Sequence, residues 1–193
     1  MIGLAIAGVA ALIVFLPRQN GEGGFALGLK RLYDFPDIEI SDQKGGYKKD
    51  FDLYFMTAAD ETGVPFALLK AHALMESSLN PRAFRDENPS KRTDRLGWAS
   101  RGLMQLLFWP NSTRFKQYGF GPERNPDDLY DPMTNIRIGS QLIRDNLKAC
   151  KGNLRDAINM YNTGKTEAQY KAPHEYVDRV LTFYGNILGR KVA

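Results

Sequence analysis

Apolar positions recur along this chain at the three-and-four spacing of helices, and no long run shows the alternation of a strand. Phe51, Tyr54, Phe55, Ala58 and Ala59 follow helical spacing, with Gly63 placed as a C-terminal cap. Pro65 opens a second helix over residues 65–78, largely apolar and stopped by Asn80-Pro81. Asp131-Pro132 starts the longest pattern, Ile136, Gly139, Ile143, Leu147 and Cys150, closed by Lys151-Gly152. Asn153 and Asp156 form a capping pair for a helix through Tyr161 that stops at Asn162-Thr163-Gly164. From Pro173, the stripe Tyr176, Val177, Val180, Leu181, Tyr184, Ile187 and Leu188 predicts a closing helix. In the middle, residues 82–95 read as a charged loop containing Pro89, and residues 82–105 leave room for a small sheet or hairpin. Gly102-Leu103-Met104-Gln105 leads an apolar run that Pro110 breaks, after which Asn111 or Ser112 caps a short helix ending near Gly119. The expected fold class is mainly α.

The N-terminus is different. Residues 2–16 are an unbroken run of apolar residues and glycine, closed by Pro17-Arg18. As a helix the run would reach about 22 Å, short of the ~30 Å hydrocarbon core of a bilayer. It suits a short membrane anchor, a signal-peptide core or a helix buried among partner subunits. No basic residue precedes it and no small-x-small site follows, which argues against a cleaved signal. Arg18, Lys30, Arg31, Lys44, Lys48 and Lys49 all follow the run, so the positive-inside tendency would hold the main domain in the cytoplasm. The expected organisation is an uncleaved hydrophobic anchor helix over 1–17, a linker over 18–49 with glycine-bearing stretches at 20–24 and 41–46, and a globular domain over 50–193.

Composition narrows the chemistry. The chain has 193 residues, 43% of them hydrophobic, enough for one domain of ordinary size plus a short segment. A net charge of +4 suits an anionic surface such as cell wall or phospholipid, and is too weak to argue nucleic acid as a partner. Two histidines and one cysteine put a Cys/His zinc site and an internal disulfide out of reach, and Cys150 reads as a small core residue. No glycine-rich phosphate loop or Gly-x-Ser-x-Gly elbow occurs. With no metal or cofactor expected, chemistry falls to carboxylates, amides and hydroxyls.

One carboxylate stands out. Glu76 lies on the face of its helix that carries Leu69 and Ala73, just before the proline stop. If that face looks inward, desolvation and the negative end of the helix dipole both raise its pKa. A carboxylic acid kept protonated near neutral pH is what general acid catalysis requires. The competing reading is a glutamate at the helix edge that reaches solvent. His72, one turn earlier, stands either to pair with Glu76 and alter its titration or as a satisfied bystander.

Three segments together carry a family resemblance. Glu76-Ser77-Ser78-Leu79-Asn80-Pro81-Arg82-Ala83 resembles the Glu-Ser-x-aromatic-Asn/Asp-Pro-x-Ala signature of the soluble lytic transglycosylase (SLT) family, relatives of the goose-type lysozymes. Gly102-Leu103-Met104-Gln105-Leu106 is similar to its second motif, and Met160-Tyr161-Asn162-Thr163-Gly164 to its Ala-Tyr-Asn-Ala-Gly motif. Tyr130-Asp131-Pro132 with Asn135, Ile136 and Gly139 resembles a supporting helix, and Tyr176-Val177 the closing one, over about residues 50–188. The resemblance implies a lysozyme-like helical domain with a substrate cleft for peptidoglycan glycan strands. It also implies Glu76 as the single catalytic acid/base, with Ser77, Met104, Gln105, Tyr161 and Asn162 lining the cleft. The residue types agree: Gln105 and Asn162 offer donor and acceptor to sugar hydroxyls and acetamides, and Tyr161 adds a flat face with a hydroxyl. Met104 and Tyr161, at helix boundaries, equally suit the core, and Gly102 and Gly164 suit turns.

Most glycosidases use two carboxylates. Asp86 and Glu87 lie in the loop with nothing in the sequence to hold them near a cleft, so a one-carboxylate reaction is expected. By the resemblance, the acid protonates the oxygen between N-acetylmuramic acid and N-acetylglucosamine, and its carboxylate then deprotonates the muramic 6-hydroxyl. That tethered hydroxyl closes on the anomeric carbon to leave a 1,6-anhydro end without consuming water. The chain departs from the family pattern in the longer gap of 26 positions between Glu76 and Gly102, in the longer turn after Gln105, and in Thr163 for alanine. The alternatives are a goose-type muramidase that uses water, and a non-catalytic wall-binding or scaffold module. Either a membrane or the subunits of a virion or secretion complex would hold the protein through residues 2–16, for local wall opening in the periplasm or cell wall. The charge asymmetry favours the virion.

Overall fold

The apolar segment after Pro65 becomes the helix around which the others are stacked. In a computed structural model of the chain, the described residues are 32–87, 98–170 and 174–192; the expected 1–17 helix, residues 88–95 of the charged loop and Pro173 lie outside them. Five α-helices run in order among these residues: α1 (Asp52–Thr62), α2 (Phe66–Ser77), α3 (Pro132–Ala149), α4 (Leu154–Thr163) and α5 (Glu175–Leu188). Three short strands, β1 (Phe84–Asp86), β2 (Ala99–Arg101) and β3 (Leu106–Phe108), sit between α2 and α3. None of the described helices is long and apolar enough to cross a membrane.

Residues 66–74 of α2 are buried without interruption, so this helix shows no solvent face until its last turn. Its flanks are filled by Phe55 of α1, Val177, Val180 and Tyr184 of α5, and Leu103 and Met104 from the hairpin, all fully buried. Each such side chain contributes roughly 1.5–3 kcal/mol by leaving water. Pro65 is the N-cap rather than the first helical residue, and it has no side-chain donor or acceptor. Asp37 takes over that job from outside the helix, accepting from Phe66 N at 2.8 Å and Ala67 N at 3.0 Å.

Inside this helix sits a lysine. Lys70 Nζ donates to Asp52 Oδ1 at 2.7 Å and to Gln43 Oε1 at 2.6 Å, and its side chain has 0% exposure. Burial pulls its pKa down, while the Asp52 carboxylate holds the charged form. Gln43 completes the triangle by donating to Asp52 Oδ2.

These contacts correct the expected boundary at residue 50. The described part of the 18–49 linker is built into the fold: Phe35, Ile38, Ile40 and Tyr47 pack on the core. The Tyr184 hydroxyl donates to the Pro36 carbonyl, and Lys44 N donates to Ile187 O at 2.8 Å. The segment lacks a repeating pattern because it is fixed by single caps and pairs, not by periodic burial.

The sheet that residues 82–105 left open does form, antiparallel in the order β1-β2-β3, with Arg85 opposite Ser100 and Ser100 opposite Leu107. The short helix expected to end near Gly119 reduces to a single 3-10 turn, Lys116–Tyr118. Asn111 has φ 64, and Phe115 and Phe120 pair as a β-bridge against Phe108, which takes the apolar residues out of helical register. The caps read from the sequence are present: Asp131 accepts from Thr134 N, Asn153 from Asp156 N, and Gly63 and Gly164 are left-handed.

Replacing Lys70 with Met leaves Asp52 as a buried, unpaired charge and is expected to cost about 3–5 kcal/mol in urea unfolding at pH 7. The pair Lys70→Met with Asp52→Leu is expected to recover most of that loss; an equal loss in single and double variants would refute the pairing.

Candidate active site

Glu76 lies in the last turn of α2, where the buried helix reaches a cleft of about 500 Å³. The chain leaves the helix through two left-handed residues, Ser78 (φ 53) and Leu79 (φ 62), so the turn folds back without extending the helix over the opening. Tyr176 of α5 donates its hydroxyl to Glu76 Oε1 at 2.5 Å. The Glu76 pKa rises from 4.5 to about 7, first through burial and further through the Glu87 charge. The Tyr176 hydrogen bond and the Arg85 charge oppose that rise. The phenols of Tyr161 and Tyr176 are both held well above their usual value, by burial and then by the Glu76 charge, and so stay protonated donors.

The second wall hangs on one asparagine. Asn135 of α3 donates to the carbonyls of Arg101 and Leu129, each at 2.9 Å, and accepts from Met104 N at 2.7 Å. That clamp sets the turn between β2 and β3. Gly102 has φ +75, and a Cβ there would run into the Leu129 carbonyl and the Asn135 amide. Gln105 takes φ 45 and turns its side chain along the cleft, with Nε2 donating to Gly102 O at 3.1 Å.

The residues expected at the site divide into two groups. Glu76, Gln105, Tyr161 and Asn162 line the cleft together. Met104 does not: its side chain is fully buried against Gly139, where a Cβ would lie 2.9 Å from Met104 Cγ. Only its carbonyl reaches the site, accepting from the Tyr161 hydroxyl at 2.7 Å. Ser77 is likewise a brace, donating to Leu103 O at 2.8 Å and so tying the end of α2 to the hairpin. His72 does not pair with Glu76. It is fully buried beneath it, its ring 5.0 Å from that of Tyr161, and burial pulls its pKa to about 3.

Glu87 corrects the carboxylate count. It lines the cleft with Glu76, fixed by Ser100 Oγ at 2.5 Å and by Arg85 Nε at 2.7 Å. Strand pairing does this: Arg85 faces Ser100 across the ladder, and Glu87, two residues on, shares that face. Nothing in the local sequence signals it, because β1 is exposed and too short to show alternation. Tyr176 carries no sequence signal as the partner of Glu76; it reads as one more member of the α5 stripe. Arg114, Phe115 and Asn146 complete the far side of the cleft. No cluster of His, Cys, Asp and Glu suited to a metal occurs among the described residues.

A helical domain whose buried central helix ends on a desolvated glutamate, facing amides and tyrosines across a cleft, agrees with the lysozyme-like helical domain expected from the sequence. The family model described as the transglycosylase SLT domain matches residues 53–176, and the chain belongs to that family. Among solved structures it is similar to the 70 kDa soluble lytic transglycosylase SLT70 of Escherichia coli, with a TM-score of 0.59 and 20% identity, over 75% of this chain and 25% of that one. It is also similar to an inactive mutant of the lytic transglycosylase Slt of Pseudomonas aeruginosa, with a TM-score of 0.57 and 20% identity, over 76% of this chain and 25% of that one. The chain thus matches about a quarter of the length of each.

Because the folded Glu76 binds its proton more tightly than the unfolded one, stability is lost as pH rises from 4.5 through about 7 and levels off above that. Glu76→Gln removes that penalty. Its melting temperature is expected to exceed that of the parent at pH 8, by the equivalent of roughly 3 kcal/mol, with little gain at pH 4.5. A gain independent of pH would contradict a desolvated acid.

Proposed function

We propose that this protein is a peptidoglycan lytic transglycosylase, with Glu76 as acid and then base. The observation that carries this reading is the Glu76 carboxyl itself: desolvated, protonated near neutrality, and oriented by Tyr176 toward an open cleft. In the first step the Glu76 proton passes to the glycosidic oxygen between N-acetylmuramic acid and N-acetylglucosamine, and the C–O bond breaks. In the second, the Glu76 carboxylate takes the proton of the muramic 6-hydroxyl as that oxygen bonds to the anomeric carbon. The acid is restored, and the product carries a 1,6-anhydro ring. Gln105 and Asn162 bind the flanking sugars through hydroxyls and acetamides, and the Tyr161 ring, its hydroxyl engaged with Met104 O, offers a flat surface. Met104 and Ser77 act by holding this geometry.

A second reading has a specific observation in its favour. Glu87 gives the cleft a second carboxylate, and Arg85 and Ser100 hold it in place. A water activated there would make the enzyme a goose-type muramidase that leaves a reducing end. We prefer the first reading because Glu87 is already engaged by both partners and because the Tyr161-Asn162-Thr163-Gly164 motif follows the transglycosylase pattern.

We further propose that the protein opens the cell wall locally, in phage entry or at a secretion or conjugation apparatus, held there through the apolar residues 2–16.

Mass spectrometry of digested cell wall separates the two chemistries, since the anhydro product is lighter by one water. Anhydro ends are expected, with Glu87→Gln still making them; reducing ends lost on Glu87→Gln would establish the hydrolase. Glu76→Gln is expected to lower turnover by at least about a hundredfold with the fold intact, and retained activity would remove Glu76 from the mechanism.

A further inference from the structure

His72 is fully buried one turn before Glu76, with no water-facing surface, and the reaction as drawn makes no use of it. Its Nε2 has no hydrogen-bond partner, and its Nδ1 lies 3.5 Å from the Tyr176 hydroxyl, the same hydroxyl that donates to Glu76 Oε1. Tyr161 gives it a ring face only, because the Tyr161 hydroxyl is spent on Met104 O. A neutral imidazole has one N–H and one lone pair, and which nitrogen holds the proton is set by available partners.

Counting partners decides between the tautomers. With the proton on Nε2, that N–H points at nothing in the protein, and Nδ1 turns a lone pair toward an oxygen whose only proton is given to Glu76. Both nitrogens then go unpaired, unless Tyr176 stops donating to Glu76, which would need the Glu76 proton on Oε1, against Tyr176 and turned away from the cleft where a general acid must deliver it. With the proton on Nδ1, it reaches the Tyr176 oxygen, and only the Nε2 lone pair is left without a partner. An unpaired buried polar group costs more than a typical hydrogen bond contributes, so the second arrangement is favoured. The separation of 3.5 Å is at the long end for a hydrogen bond and leaves Nδ1 no nearer polar partner than the Tyr176 oxygen.

We infer that His72 is a positioning residue: its Nδ1–H donates to the Tyr176 oxygen and thereby commits the single phenolic proton to Glu76. Its catalytic meaning rests on the reading of Glu76 as the reacting acid; the tautomer does not. A phenol that accepts one hydrogen bond donates a stronger one, so the chain His72–Tyr176–Glu76 acts as a unit. Donation by Tyr176 stabilises the Glu76 carboxylate formed after proton transfer and holds the other oxygen toward the cleft. The remaining groups around Glu76 are Arg85 and Glu87 from the strand side and Tyr161 from α4, and none of them touches His72 through a polar atom.

The direct test is nitrogen-15 NMR of the unaltered protein, which has only two histidines. His72 is expected as the Nδ1–H tautomer, with His174 as the internal comparison. An Nε2–H tautomer at His72 overturns the inference, whatever Glu76 does. The functional test is a double-mutant cycle. His72→Leu is expected to lower kcat about fivefold with little change in KM, and to move the high-pH limb of the profile upward as Glu76 loses its partner's support. His72→Asn, which keeps an N–H near the Nδ1 position, is expected to restore most of the rate. In a Tyr176→Phe background both changes should have no further effect; an equal loss there means His72 only fills space. Loss of activity in Glu76→Gln is a separate result, so failure of the acid assignment and failure of the relay are told apart.

Discussion

The structure depends on the complete burial of α2. A helix buried over residues 66–74 must turn its polar groups to other elements, and each partner it finds pins a piece of chain. Asp37 caps its N-terminus, the Asp52–Gln43 pair neutralises Lys70, and α5 covers its flank. Such burial also means that the helix can meet water only at its end. Glu76 is there, in the last turn, with enough of the interior around it to lose hydration and enough opening to meet a ligand.

The cleft is held by cross-braces rather than by one element. Ser77 ties α2 to the hairpin, Tyr161 ties α4 to it, and Asn135 ties α3 to it. All three attach to the backbone of one short turn, residues 101–104. Pairing side-chain groups with backbone carbonyls and the Met104 N–H fixes that turn independently of what its own side chains do. This explains why Gly102 and Gln105 can occupy left-handed conformations, one of them unusual for its residue type. The short segment from Gly102 to Gln105 is therefore a structural hub, and Met104 belongs to it as core.

Electrostatics then sort the carboxyls. Glu76 is desolvated and has a phenol as its close partner, so it holds its proton to about pH 7. Glu87 faces the same space with an arginine and a hydroxyl, so its charge is answered. Two carboxyls with such different partners have different chemistry available, the first donating a proton and the second accepting hydrogen bonds. Beneath them His72 supplies the only histidine at the site, and its burial leaves it neutral rather than a competing base.

Much of this was legible in the sequence wherever a local rule applies. Periodic apolar positions mark α1, α3, α4 and α5, an unbroken apolar run after Pro65 marks α2, and the caps at Asp131, Asn153, Gly63 and Gly164 bound α1, α3 and α4, because a helix end must satisfy its own backbone within a few residues. Glu76 was recognisable as an acid set into an apolar segment, and Gln105, Tyr161 and Asn162 as polar or aromatic breaks at helix and turn boundaries. What only the tertiary structure decided involves partners far apart in the chain. Tyr176 reaches Glu76 across 100 positions, Asp37 reaches the start of α2 across 29, and Glu87 joins the cleft through strand register. Met104, which sequence pattern alone leaves open, turns inward because Gly139 makes room for it. Local sequence sets which face of each element is apolar; which side chains then meet is settled by how those faces pack, and a hydrogen bond between distant residues leaves no periodic trace in either.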